Sequence, residues 1–272
     1  MESGERYGLC VEALKEFMAE AGFTDAVIGL SGGMDSSLVA VMCADALGAD
    51  HVHGVLLPGP YSTDHSVEDA LELARALGIE TCTVPIGPAY DAFARALAEP
   101  CGGALSGLAA QNTQARCRMV CLMALSNAHG WMLVNTGNKS EACMGYSTLY
   151  GDTAGAFAPI GGLYKTDVYE VARWRNRQAA SAGEVPPIPE RVFSKPPSAE
   201  LAPGQSDEDS LGIDYATLDA ILVRHVEHGE DAEALKAAGF AAADVDRVLS
   251  TYRATAFKRA LEPPFPPAAF YG

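Results

Sequence analysis

The sequence predicts an α/β protein with a doubly wound, mostly parallel sheet flanked by helices and a helical C-terminal part. Short apolar runs alternate with helical stretches, which implies parallel strands joined by right-handed crossovers. A glycine- and serine-rich bend, "SGGMDSS", lies between the first apolar run and the first helix that follows it. In a sheet of this type the ligand site lies at the carboxyl ends of the strands.

Val27–Leu30 reads as a short buried strand, and Ser37–Leu47 as a helix stopped near Gly48. Val52–Leu57 is the second strand. Ser66 is placed to cap a helix running to Leu77, with Asp69 at the capping-box position and Gly78 as its stop. Ile79–Val84 is the third strand, Asp91–Leu97 and Leu108–Ala128 are helices, and Trp131–Thr136 is the fourth strand. Thr166–Gln178 is helical, and so is most of Tyr215 to Arg259. Between Gly183 and Gly212 proline and charge replace apolar periodicity, and so long a connection in a compact chain is usually functional or disordered. The tail "PPFPPAAFYG" is expected to be irregular. The expectation is one domain over residues 1–272.

The chain has 272 residues and a formal net charge of −16. Such an acidic balance argues against a sequence-independent grip on nucleic acid. No apolar stretch is long enough to span a bilayer. The N-terminus lacks the basic and apolar regions of a signal peptide, which favours the cytoplasm. Seven cysteines, without a CxxC pair, fit reduced thiols. Cys117 and Cys121 lie one helical turn apart but lack two further ligands, so they are assigned to core packing.

Gly29, Ser31, Gly32, Gly33, Asp35, Ser36 and Ser37 form the bend. Glycines let the backbone approach a ligand closely, and amides at a helix start, with the positive end of its dipole, attract anions. Hydroxyls add donors, so the bend suits phosphate or pyrophosphate. Asp35 would repel phosphates unless a divalent cation lies between them, and Mg²⁺ fits a carboxylate with phosphate oxygens. No lysine follows the glycines, so this is not the Walker pattern. The bend resembles the SGGxDS loop of the ATP pyrophosphatases, which cleave ATP between its α and β phosphates.

Three further stretches narrow the acceptor: "QNTQARCRM" from Gln111, "NTGNKSEACMGYSTLYGDTAGAFAPIGGLYKTDV" from Asn135, and "KPPSAELAPGQSDEDSLG" from Lys195. In this order the chain resembles the NAD synthetases from about Gly29 to Arg259. The resemblance implies that ATP adenylates the nicotinate carboxylate of nicotinic acid adenine dinucleotide (deamido-NAD). Pyrophosphate leaves, and ammonia then displaces AMP. The meeting of anions calls for clustered cations, and Arg116, Arg118, Lys139, Lys165, Lys195 and Lys258 fall in the motifs or the terminal "FKR". Arg118 and Lys258 are read equally well as solvated surface charges. Lys165 is not, because a lysine gains nothing from a helix N-terminus.

The resemblance further implies Mg²⁺ held by Asp35 and Glu141, ATP contacts from Thr136, Arg116, Lys165, Lys195 and Ser198, and Asp152 as the group that helps ammonia lose its proton. Tyr146 would stack on the nicotinate ring or simply pack in the core. Gln111, Asn112, Arg116 and Lys258 would bind the dinucleotide, at a site shared between two chains of a homodimer. The 183–212 segment, with Lys195, Ser198 and Glu208, would close over the site. "GYSTLYGDTAGAFAPI" and "ARWRN" look like the glutamine-dependent branch, yet no amidase domain is present. Ala156 and Phe257 stand where many short enzymes carry an aspartate and a histidine. The expectation is a synthetase-only chain using free ammonia. A separate amidase subunit or a longer parent chain are the other routes, although Met1, close to the first helix, favours completeness. Other readings are a different ATP pyrophosphatase synthetase and a non-catalytic nucleotide-binding protein.

Overall fold

A computed structural model describes all residues, 1–272. Helix α1 (Ser3–Ala21) leads into β1 (Ala26–Gly29), α2 (Met34–Leu47) and β2 (Val52–Leu56). Helix α3 (Asp64–Leu77), β3 (Glu80–Thr83), α4 (Gly87–Leu97), α5 (Gly107–His129) and β4 (Met132–Leu133) follow. The four strands form one parallel sheet in the order β3-β2-β1-β4. The chain is thus wound in both directions from β1, and the switch point falls between β1 and β4. Lying between neighbours, β1 is apolar and almost wholly buried rather than alternating.

Each face of the sheet has its own core. On one, α1, α2 and α7 (Lys165–Ser181) pack residues such as Leu14, Leu38, Met42 and Val171. Helix α2 is buried along almost its whole length, as expected of a helix that is apolar on most sides. On the other face, α4 and α5 cover Val27, Val55 and Leu133 with Ile86 and Cys117. A third core joins α6 (Lys139–Met144) to the C-terminal helices α10 (Tyr215–Leu222) and α12 (Ala242–Ala254). The tail is irregular but not loose, because Phe270 is buried against the main core.

Three local expectations change. The side chain of Thr63, not Ser66, caps α3, accepting from the Ser66 amide at 3.2 Å. Ser66 is a first-turn residue, and Asp69, instead of completing a capping box, is buried and accepts from Arg191 Nε at 2.9 Å. The fourth strand is shorter than Trp131–Thr136. Beyond Leu133 the chain pairs irregularly with Ala156 and Phe157, and Asn135 turns it by donating to the carbonyls of Asp152 and Ala154 at 2.8 and 2.9 Å. The 183–212 segment contains two short helices, α8 (Glu190–Ser194) and α9 (Asp207–Leu211). Helices α11 (Ala232–Ala237) and α13 (Ala256–Arg259) complete the C-terminal part.

Candidate active site

A cleft of about 310 Å³ opens at the carboxyl ends of β1, β2 and β4. Its floor is the bend after β1. Gly32 takes a left-handed conformation, φ +74°, and a Cβ there would lie 2.1 Å from the carbonyl oxygen of Ser66. The bend is tied internally. The hydroxyls of Ser36 and Ser37 donate to the Gly33 carbonyl at 3.2 and 2.7 Å, and those of Ser31 and Ser36 lie 2.9 Å apart. Gly33 occupies the N-cap of α2 and no side chain caps that helix, so its first-turn amides keep their capacity for a ligand. Gly29, Ser31, Gly33, Asp35 and Ser36 line the cleft. Gly32 and Ser37 lie outside its lining and shape the bend.

Facing the bend is a cluster of charge. Lys165, the first residue of α7, is buried, and its Nζ bonds Asp35 and approaches Glu141 Oε1 at 3.8 Å. Burial alone would lower the lysine pKa, but the charges of Asp35 and Glu141 outweigh it and raise the value. The same burial raises Glu141, reinforced by the negative charge of Asp35 and opposed by Lys165. Asn138 knits the pair together: its side chain donates to Asp35 Oδ1 at 3.0 Å and its amide donates to Glu141 Oε2 at 3.3 Å. No three His, Cys, Asp or Glu side chains converge to hold a metal unaided. Two crowded carboxylates beside a phosphate-type cradle are nevertheless an oxygen donor set that Mg²⁺, which keeps waters and takes phosphate oxygens, can use. The residues therefore fit that ion.

Asp152 sits on the opposite wall, enclosed by protein but open to solvent through the cleft. Its Oδ1 accepts from the Thr148 amide at 2.6 Å. Burial pushes its carboxyl up to about 6, against the pull of that amide and of Lys258. Thr136, Tyr146, Lys195 and Ser198 also line the cleft. The Tyr146 hydroxyl accepts from Gln205 Nε2 at 3.2 Å, and Lys195 Nζ bonds Ser66 Oγ and lies 3.1 Å from Glu200. Glu200 in turn accepts from Thr63 and Ser66, which ties the 183–212 segment to the start of α3. Ser198 Oγ accepts from the Glu200 amide at 3.2 Å.

Apart from Arg118, the other expected residues stand outside the cleft lining. Asn112 accepts from Thr148 Oγ1 at 2.7 Å and Arg116 Nε donates to the Leu149 carbonyl at 3.1 Å, so both grip the segment that carries Asp152. Gln111 is half-buried on the same helix. Lys258 Nζ donates to the carbonyls of Gly145 and Ser147 at 2.7 and 2.6 Å. Glu208 accepts from the Tyr215 amide, at the start of α10, and its neighbour Asp207 faces the cleft instead. Arg118 lines the cleft, donating to the Leu57 carbonyl at 3.0 Å. The sequence did not single out Asn135, Asn138, Asp207 or Glu262. Asn135 and Asn138 carried a signal as hydrogen-bonding residues inside the "NTGNKSE" motif, and Asp207 stands beside Glu208 in the motif that begins at Lys195.

A parallel sheet with an uncapped helix start at its switch point, and a carboxylate–lysine cluster opposite, defines a nucleotide-binding α/β protein of the ATP pyrophosphatase fold. A family model described as NAD synthase matches residues 7–262. Over 255 residues the chain is 45% identical to the glutamine-dependent NAD(+) synthetase of Thermotoga maritima, covering 94% of this chain and 43% of that protein. Among solved structures, the NMN synthetase of Francisella tularensis superposes with a TM-score of 0.78 at 29% identity, covering 95% of this chain and 96% of that one. The NH3-dependent NAD synthetase of Campylobacter jejuni gives 0.74 at 28% identity, with 95% and 96% covered. The chain belongs to the NAD synthase family. It spans less than half the length of curated relatives such as the Thermotoga protein. No helix is long and apolar enough to cross a membrane.

Proposed function

We propose that this chain amidates deamido-NAD to NAD in an ATP-dependent reaction with ammonia as nitrogen donor. The observation that carries the reading is Lys165, buried between Asp35 and Glu141 beside the uncapped start of α2, with Asp152 across the same cleft. The α2 amides bind the phosphates of ATP. Asp35 and Glu141 would hold Mg²⁺, which when bound neutralises phosphate charge. Lys165 keeps its proton and offers positive charge to the phosphate oxygens as pyrophosphate departs. Asp152, ionised above about pH 6, orients the incoming nitrogen and accepts a proton from it. Tyr146 offers a ring face to the nicotinate.

The 183–212 segment closes over this site and excludes water from the adenylate. Its attachment to α3 through Glu200 and Lys195 supports a latch that substrates engage further. Equal protease resistance of the segment with and without ATP and dinucleotide refutes the closure. Gln111, Asn112 and Arg116 reach the dinucleotide through a second copy of the chain. The exposed Phe93, Leu108 and Val120 on α4 and α5 support such a homodimer.

The deciding experiment incubates the protein with ATP, Mg²⁺ and deamido-NAD, and measures AMP, pyrophosphate and NAD with ammonium or glutamine. AMP and pyrophosphate are expected only when the dinucleotide is present, and NAD only with ammonium. Binding of ATP without its cleavage favours a nucleotide sensor. Appreciable glutamine use by the pure chain overturns the ammonia assignment, and a separate amidase subunit is the alternative source of nitrogen. Because one neighbour is an NMN synthetase, nicotinate mononucleotide is offered in parallel; preferential turnover of it replaces the dinucleotide as acceptor.

A further inference from the structure

Helix α7 begins with the buried Lys165, and its N-cap residue, Tyr164, supplies no side-chain cap. The Lys165 amide donates to Ser140 Oγ and the Thr166 amide to Asp219 Oδ2, both at 2.8 Å. The Tyr164 amide donates at 3.0 Å to the hydroxyl of Tyr271, in the irregular tail beyond α13. That hydroxyl in turn donates to Asp167 Oδ2 at 2.6 Å. Asp167 is the third residue of α7, the place in a capping box whose side chain reaches back to the N-cap amide. Two other helices of this chain make that bond directly. Glu5 accepts from the Glu2 amide at the start of α1, at 3.0 Å, and Glu141 from the Asn138 amide at the start of α6, at 3.3 Å. At α7 the acid is an aspartate, one methylene shorter, and the Tyr271 hydroxyl stands between it and the N-cap amide.

The ring of Tyr271 is held as well. Arg6, which also bonds Asp167, lies 4.9 Å from its centroid, and Tyr164 packs edge-on to it at 5.0 Å. Lys139, a cation of the "NTGNKSE" motif, stands outside the cleft lining. Its Nζ lies 5.6 Å from the Tyr271 ring and 2.6 Å from Glu227, which accepts from the Tyr164 hydroxyl at 2.7 Å. Lys139 opens α6, the helix that carries Glu141, and its amide donates to the Leu163 carbonyl just before α7 at 2.8 Å. The starts of α6 and α7, which bring Glu141 and Lys165 to 3.8 Å, are therefore fastened together beside Tyr271. We propose that Tyr271 is a positioning residue for adenylation: its hydroxyl completes the cap of α7 and so fixes Lys165 against Asp35 and Glu141. Tyr271 does not line the cleft and acts only through the lysine. The proposal rests on the amidation reading, in which Lys165 meets the phosphate oxygens as pyrophosphate leaves. Without the cap the first turn of α7 frays, and a reacting group displaced by about 1 Å loses about a hundredfold in rate. Tyr146 and Asp152, the groups assigned to dinucleotide and ammonium, bond none of Tyr271, Asp167 and Lys139.

Tyr271→Phe in the intact protein keeps the ring and removes both bonds. Pyrophosphate release with ATP, Mg²⁺ and dinucleotide, without ammonium, reports adenylation and is expected to slow about tenfold or more. The KM values for dinucleotide and ammonium should stay as in the wild type, and so should the rate of NAD formation when ammonium chloride is added to preformed adenylate. Asp167→Glu supplies the longer acid that reaches the N-cap amide unaided. Combined with Tyr271→Phe, it is expected to recover most of the adenylation rate. Hydrogen exchange at the Tyr164 and Lys165 amides follows the cap itself, and should be fast in the single variant and slow again in the double one. Wild-type adenylation by Tyr271→Phe overturns the proposal. Equal slowing of adenylation and amide formation, failure to fold, or a slowed single variant that Asp167→Glu does not rescue overturns it too, since each would make Tyr271 merely structural. A wild-type protein that releases no pyrophosphate overturns the amidation reading itself, a distinct outcome, because exchange still reads the cap.

Discussion

Replacing Gly32 by alanine tests the phosphate cradle at its tightest point. The residue has φ +74°, and its missing Cβ would stand 2.1 Å from the Ser66 carbonyl oxygen. The left-handed backbone costs alanine about 1–2 kcal/mol. Relieving the overlap, which must move either the bend or the first turn of α3, adds about 1–3 kcal/mol. At roughly 2–4 °C per kcal/mol for a chain of this size class, the melting temperature falls by at least about 4 °C. The shift also carries the α2 amides away from the phosphates, and a displacement of about 1 Å at a reacting group costs about a hundredfold in rate. Gly33→Ala is the control: φ there is −96°, and the added Cβ meets only the Ser31 hydroxyl, at 3.2 Å. Thermal unfolding and dinucleotide-dependent pyrophosphate release of both variants provide the assay. A Gly32→Ala protein that melts and turns over like the wild type would refute the reasoning.

Asp152→Asn is expected to spare pyrophosphate release and to depress NAD formation. In the wild type the amide-forming rate should rise with pH through about 6, as the raised carboxyl loses its proton, and fall away below; an identical profile in the variant would remove the residue from proton transfer. Arg191→Ala strips the buried Asp69 of its partner and should cost about 1–3 kcal/mol of stability, measured by denaturant unfolding, because the lost bond is charge-assisted. Asp219→Ala removes acceptors from Ser140 Oγ and the Thr166 amide and should lower both stability, by about 1–3 kcal/mol per unsatisfied buried group, and the adenylation rate. Loss of stability alone would show that Lys165 does not depend on this support.

Elements buried on both sides were the legible ones. The apolar runs of β1 and β2 and the flanking helices follow from burial, which acts on composition directly. At β4 the reading ran too long because Val134 is as apolar as the strand before it, and only the tertiary bonds of Asn135 to Asp152 and Ala154 turn the chain away. The cap of α3 was misplaced among neighbouring hydroxyls for a similar reason: Thr63 and Ser66 are chemically alike, and the angle of chain entry decides between them. Asp35, Glu141, Lys165 and Asp152, which the sequence offers as candidates because they lie inside contiguous motifs, line one cleft. Asp207 lies among several acids of the Lys195–Gly212 motif, with nothing to pick it from its neighbour Glu208, and Glu262 reaches the cleft from the C-terminal segment, where no local pattern marks it.

Lys165 shows why the C-terminal helices matter to chemistry at the sheet. A lysine at the first position of a helix faces the positive end of the dipole, and burial adds a further cost. The structure offsets both. Ser140 from α6 accepts from the Lys165 amide at 2.8 Å and donates to Asp219 Oδ1 at 2.5 Å, while Asp219 Oδ2 accepts from the Thr166 amide at 2.8 Å. An acid from α10 thereby occupies the helix start that the lysine side chain could not stabilise, and burial holds that acid up to about 6. Relieved of capping, the lysine side chain is free to turn to Asp35 and Glu141. Three helices from different parts of the chain thus converge to place one cation against local preference. Such an arrangement persists only where the charge is wanted in the cleft.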